Sequence, residues 1–185
     1  MKTEHLLIIR FSAMGDVAMT VPVIYSLAQQ YPQLRISVLS RPYAQAFFEN
    51  LAPNVDFMAA DLKHEYRKIR GLNKLYRRLT AKQFTAVADF HDTLRSKYLR
   101  MRFFMDRFKV AHIDKHRSEK RELIHHQNKV LKPIQSAFQN YADVLSELGY
   151  PIKLNFNSIF PTNNEAFTSL IPKIGNYKAV SYTHL

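Results

Sequence analysis

Short apolar runs alternate with segments of helical period along the first 150 residues, and that alternation leaves few folds open. "HLLIIRF" (5–11), "RISVLS" (35–40), "VDFMA" (55–59), "FTAVADF" (84–90) and "FKVAHI" (108–113) read as strands, each short and rich in apolar residues. Between them lie the helical segments. Residues 17–30 put Val17, Val21, Ile24 and Ala28 on one face. Pro22 interrupts that stretch, so either one helix kinks there or a second begins, capped near Thr20. Residues 42–51 open on proline, as helices often do, and Tyr43, Phe47 and Phe48 read as core. Residues 66–79 set Ile69, Leu72, Leu75 and Leu79 on one face and cations around the other. Residues 93–104 predict a basic helix. Residues 134–149 predict an amphipathic one that stops at Gly149 and Pro151. Strands and helices at this spacing predict an α/β fold: a Rossmann-like parallel sheet with helices on both faces.

Residues 1–150 are expected to make one such domain. After Pro151 the pattern changes, and 151–177 read as a linker and the start of a further unit. Residues 178–185 read as the end of a fragment, with "SYTHL" resembling a translated sequencing-adapter tail more than a native terminus.

Open parallel sheets gather functional residues at the carboxyl ends of their strands. That rule selects residues 12–16, 40–42 and 89–95. The first lies in "RFSAMGDVAMTVP" (10–22), which holds one of only four glycines in the chain. Gly15 lacks a Cβ, so a ligand can come close to the backbone. The helix that follows offers free N–H groups and a partial positive charge. Neither G-x-G-x-x-G nor the P-loop pattern is present, which argues against a typical dinucleotide or P-loop site. Asp16 admits two readings that coexist: a helix N-cap just before Val17, and a general base at the sheet edge.

Charge is concentrated. The net charge is +12. Residues 63–132 hold 20 Lys/Arg against 7 Asp/Glu, and the rest holds 7 against 8. An anionic partner is implied: nucleic acid, a nucleotide, a phosphorylated glycan or a membrane surface. Most of these cations taken singly read as solvated helix faces. The chain has no cysteine, which excludes disulfides, thiol catalysis and thiolate zinc sites and fits a cytosolic setting. The eight histidines show no metal-ligand spacing, and no apolar run approaches the about 18 residues of a membrane-spanning helix.

The residues around Gly15 and Asp16 carry a resemblance. "LLIIRFSAMGDVAMTVPVIYSLAQQYP" resembles the amino-terminal signature of the ADP-heptose:lipopolysaccharide heptosyltransferases, glycosyltransferase family nine. Arg10, Ser12, Ala13, Gly15, Asp16, Thr20 and Pro22 stand at matching positions. "FTAVADFHDTLRSKYL" is similar to a second family segment through Asp89, Arg95 and Ser96, with His91 and Asp92 in place of the usual Gln-Gly. "HIDKHRSEKRELI" resembles the family's basic loop, with Asp114, Lys115, Arg117 and Lys120 in register. The resemblance covers residues 4 to about 150. It implies the amino-terminal, acceptor-binding half of a GT-B fold, and inverting transfer with Asp16 as the catalytic base. It also implies substrate contacts from Arg10, Ser12, Ala13, Gly15, His91, Arg95, Lys115, Arg117 and Lys120. His91, between two aspartates, also reads as a hydrogen-bonded structural histidine, the reading slightly preferred. No metal or cofactor is implied, and no Asp-x-Asp occurs. The implied partners are an ADP-heptose-type sugar nucleotide, held mainly by another domain, and the lipopolysaccharide core acceptor. The implied location is the cytoplasm, with peripheral contact to the inner membrane's cytoplasmic face left open. Two other readings compete: a basic nucleic-acid-binding α/β module, weakened by the lack of any known nucleic-acid motif, and a non-catalytic phosphate-binding regulator.

Overall fold

A computed structural model describes residues 4–116 and 135–156. Five parallel strands lie in the order β3-β2-β1-β4-β5: β1 (His5–Ile9), β2 (Arg35–Ser40), β3 (Val55–Ala59), β4 (Ala86–Asp89) and β5 (Lys109–His112). The predicted strands all form, with ends trimmed by up to two residues. β1 is central and buried throughout, as an unbroken apolar run in a parallel sheet should be. Its register sets Ile8 beside Val38 and Ala88, and Ile9 beside Leu39 and Asp89.

Helices cover both faces. Alternate β1 residues feed two separate cores. Leu6 and Ile8 pack with Val17, Ile24 and Leu27 from α1 (Met14–Ala18) and α2 (Val21–Gln30), and with Tyr141 and Leu145 from α5 (Ala137–Glu147). Leu7 and Ile9 pack with Leu72, Leu75 and Leu79 from α3 (Lys68–Thr80), and with Leu99 and Phe103 from α4 (Leu94–Met105). The Pro22 ambiguity resolves into two helices. Thr20 is the N-cap of α2, and Pro22 sits in its first turn, where a missing N–H costs nothing. Ser136 caps α5 by accepting from the Gln139 amide at 3.2 Å.

Three local expectations change. Residues 42–51 do not form an α-helix; Pro42–Phe47 make a 3-10 turn. Ile69 is exposed, because the buried stripe of α3 centres on Leu72, Leu75 and Leu79 with Gly71 and Tyr76. Tyr43 is exposed with its hydroxyl donating to the Phe11 carbonyl at 3.3 Å, whereas Phe48 is core and stacks on Phe57. Residues 151–156 run without regular structure along α2. They are tied by the Gln30 side chain to both backbone groups of Lys153 and by the Asn155 amide to Ser26 Oγ. The remainder of the expected 151–177 unit and the 178–185 tail lie outside the described residues.

Gly71 allows α3 to pass against the preceding turn. A Cβ there would stand 2.6 Å from the Tyr66 carbonyl carbon and 2.7 Å from its Cα. Gly71→Ala is therefore expected to destabilise the domain by about 1–3 kcal/mol, against alanine's better helix propensity. Chemical denaturation checks this, and a gain in stability would show that the 61–66 turn yields freely.

Candidate active site

β1 lies where the connections turn from one side of the sheet to the other. The chain runs β1 to β2 to β3 outward one way, then returns to place β4 and β5 on the other. The crevice at the β1/β4 boundary is where open sheets bind ligands. Arg10 leaves β1 at that point. Its backbone N–H still bonds Leu39 O at 3.1 Å, but its side chain crosses to β4 and donates from Nη1 to Phe90 O at 2.6 Å. Nη2 meets Asp16 Oδ2 at 2.5 Å; the Arg10 side chain is 9% exposed and that of Asp16 43%.

Asp16 is not the N-cap that its position before Val17 suggested. The helix begins earlier, at Met14, with Ala13 as N-cap, so Asp16 is its third residue. Its Oδ2 reaches back to accept from the Ala13 amide at 3.2 Å. Oδ1 has no partner among the described residues. One oxygen is thus anchored, and the side chain as a whole stays 43% exposed. Gly15 sits in the first helical turn, just before Asp16. Nothing lies within 4 Å of the place its Cβ would occupy. Its use is open space beside the carboxylate. The Ser12–Ala13 peptide between Arg10 and this turn is cis.

β4 delivers the second wall. Asp89 is fully buried, and its Oδ1 accepts from the amides of both His91 and Asp92 at 2.9 Å. Arg100 approaches its other oxygen at 3.4 Å. Asp89 therefore shapes the loop and is not aimed at a ligand. Asp92 faces Lys97 and Arg100 at 3.4 and 3.3 Å. Burial pushes its carboxyl up, but Lys97, Arg100 and Lys115 outweigh that and hold it below the usual range. His91 spans the crevice: Nε2 lies 3.3 Å from Ser12 Oγ, and Nδ1 lies 3.2 Å from Thr93 Oγ1. Its ring meets Phe11 edge-on at 5.7 Å. Burial, then the nearby charges of Arg10, Lys115 and Arg41, push its pKa down to about 4. The imidazole is neutral at physiological pH and is hydrogen-bonded on both ring nitrogens, while it also lines the cleft.

A cleft of about 490 Å³ opens here, lined in part by Ser12, Arg41, His91, Thr93 and Arg95. Arg41 was not singled out in the sequence, although the strand-end rule covered residues 40–42. Its Nε, like that of Arg10, is buried without a hydrogen-bond partner among the described residues. Arg10 is otherwise committed through both Nη atoms, whereas Arg41 lines the cleft, where an unpaired guanidinium nitrogen suits an incoming anion. Ala13 and Gly15 lie at the exposed turn beside it. Lys115 lies apart from this cleft: its Nζ donates to Asp92 O at 2.9 Å, and it lines a neighbouring hollow with Lys97 and Arg100. Arg117 and Lys120 lie outside the described residues. Among the described residues no cluster of three or more His, Asp or Glu gathers as a metal cage.

No family model matches the chain, and no curated protein matches it. Solved structures do. A family 9 glycosyl transferase from Veillonella parvula superposes with TM-score 0.60 and 20% identity, over 85% of this chain and 47% of that one. E. coli heptosyltransferase WaaC, solved with ADP-2-deoxy-2-fluoro heptose, gives 0.59 and 18%, over 91% and 55%. E. coli ADP-heptose LPS heptosyltransferase II gives 0.56 and 16%, over 89% and 49%. The chain has the fold of half a GT-B glycosyltransferase. It spans about half the length of these structures.

Because His91 is held neutral, its protonation opposes folding. The unfolded chain takes up a proton near the ordinary value of 6.5, the folded one only near 4. Stability should therefore fall as pH drops from about 6.5 to about 4 and stop falling on this account below that. His91→Gln should remove that part of the loss, on the order of 2 kcal/mol. His5, also lowered by burial, adds a loss of the same sign, so the measurement is the difference between the two proteins' thermal unfolding across pH. Identical pH profiles would contradict the assignment.

Proposed function

We propose that this chain is the acceptor-side, catalytic-base half of an inverting glycosyltransferase, one that moves a heptose from an ADP-heptose-type donor to the lipopolysaccharide inner core. The observation that carries the reading is Asp16: a carboxylate at the β1/β4 switch point with one oxygen anchored and the other without a partner among the described residues. The acceptor hydroxyl oxygen attacks the anomeric carbon of the donor. The bond from that carbon to the diphosphate oxygen breaks on the opposite face, and the diphosphate leaves with the electron pair. The hydroxyl proton passes to Asp16 Oδ1 as the new bond forms. Arg10 holds the carboxylate in place through Oδ2 and so orients the base without touching the sugar. Arg41 and Arg95 face the cleft and suit the carboxylates and phosphates of a charged acceptor. The sugar nucleotide is held mainly by a second domain. The enzyme works in the cytoplasm, at the inner membrane's cytoplasmic face.

The basic nucleic-acid module is the weaker reading. Several of the cations that suggested it already have partners within the protein: Lys74 pairs with Glu65 at the surface, Arg78 bonds Ala59 O and Tyr66, Arg100 meets Asp89 and Asp92, and Arg102 bonds Asn73.

Asp16→Asn tests the reading. Asparagine can still accept from the Ala13 amide, but it cannot take the proton. In a polypeptide carrying both halves, kcat should fall by about 10²–10⁴. Loss of the half-exposed Arg10 ion pair should also cost about 1 kcal/mol in thermal unfolding. Turnover near that of the parent protein would make Asp16 a helix-terminus residue only. Salt-sensitive binding of the chain to arbitrary DNA, with none to core oligosaccharide, would favour the nucleic-acid reading.

A further inference from the structure

Three side chains around the crevice form one hydrogen-bonded chain. Ser12 follows β1, His91 follows β4, and Thr93 is the N-cap of α4. His91 stands between the other two, with Nε2 3.3 Å from Ser12 Oγ and Nδ1 3.2 Å from Thr93 Oγ1. Its backbone amide donates to the buried Asp89 Oδ1 at 2.9 Å, and Phe11 packs against its ring, so the imidazole is held in place from both ends.

Hydrogen-bond arithmetic then constrains the two hydroxyls. A neutral imidazole carries one N–H donor and one acceptor nitrogen. One hydroxyl must accept from the ring, which leaves its own proton free. The other must donate to the ring, which leaves only lone pairs free. Ser12 and Thr93 therefore have opposite polarity, whichever tautomer the ring takes. Both are half-buried and line the cleft, whereas His91 is only 8% exposed. A ligand on this side of the cleft meets one donor and one acceptor.

That pairing suits one class of ligand group. An ionised phosphate or carboxylate offers lone pairs only and would face lone pairs at one of the two positions. A sugar hydroxyl both donates and accepts, so two hydroxyls of one sugar ring satisfy the pair in either tautomer. Phe11 and Leu94 line the same cleft and offer apolar surface to the ring's C–H groups, while the cations Arg41 and Arg95 occupy other parts of its lining.

We propose that Ser12, His91 and Thr93 form a subsite for two hydroxyls of an uncharged sugar ring, with His91 as the positioning residue that sets its neighbours to opposite polarities. The inference deepens the transferase reading and rests on it for the ligand's being a carbohydrate. Within that reading the cleft sorts one acceptor by chemistry: sugar hydroxyls go to this wall, and anionic groups go to Arg41 and Arg95.

The test is binding of D-mannose, a neutral pyranose, and of inorganic phosphate to the full chain at neutral pH, followed by NMR with labelled histidine ring nitrogens. The signals missing from the His91→Gln chain assign His91. Its ring should show one protonated and one bare nitrogen, and mannose should shift both in a saturable way. Ser12→Ala and Thr93→Val should each weaken mannose binding by roughly fivefold, and His91→Leu by roughly tenfold or more. His91→Gln should stay within about threefold of the parent, because its amide also has one donor end and one acceptor end. Phosphate affinity should be the same in all of them. Thermal unfolding checks that each variant keeps its fold, and where His91→Leu does not, Ser12→Ala at its half-buried position decides. Absence of saturable mannose binding overturns the proposal. So does parent-like binding by folded His91→Leu or by Ser12→Ala, and so does a loss in His91→Gln as large as in His91→Leu. No turnover enters these measurements, so they can fail while the Asp16→Asn assay succeeds, and the reverse.

Discussion

A guanidinium placed where a sheet divides organises this molecule. Arg10 follows the central strand, yet its side chain leaves that strand's own course to hold the Phe90 carbonyl just after β4 and the Asp16 carboxylate of α1. A cation so nearly buried is costly unless it is paired. Its two partners come from the two segments that wall the crevice. The pairing works only in the observed register, with Ile9 beside Asp89, because a one-residue slip would carry Phe90 O away and turn the strand's apolar residues outward. Strand register, loop position and carboxylate orientation are thus tied together at one side chain.

The crevice is also electrostatically one-sided. Arg10, Arg41 and Lys115 come from loops after three different strands, and together with burial they keep His91 neutral. The histidine then bridges two hydroxyls, Ser12 and Thr93, without adding charge. The cationic character of the cleft comes from arginine, whose charge does not vary with pH in the working range.

Much of this was legible in the sequence, for reasons that differ by element. The strands could be read because a doubly covered sheet demands continuous apolar runs, and the sheet edge could be located because parallel connections put loops there. Asp16 stood out as an acid just past a strand. Its true hydrogen bonds did not, because a helix that starts at Met14 instead of Val17 changes it from cap to third residue. Ile69 fitted the helical period but missed the core, since several phases of one periodic pattern look alike until the sheet selects among them. Arg41 and the neutral state of His91 depend on residues brought together from β1, β2, β4 and β5, and local pattern carries no trace of such meetings. Arg117 and Lys120 rest on the resemblance alone.

Strand order also works as a ruler. Neighbouring strands stand about 4.8 Å apart, so loops leaving β2 and β4, with β1 between them, are held roughly 10 Å from one another. Arg41 rides on one of these loops and His91 on the other. Side chains on the rim can change in sequence and in reach, but the gauge between their roots is set by backbone hydrogen bonds that no side-chain substitution alters. The width of the groove is therefore a property of the sheet, and evolution on the loops can retune what the groove prefers only within that fixed span.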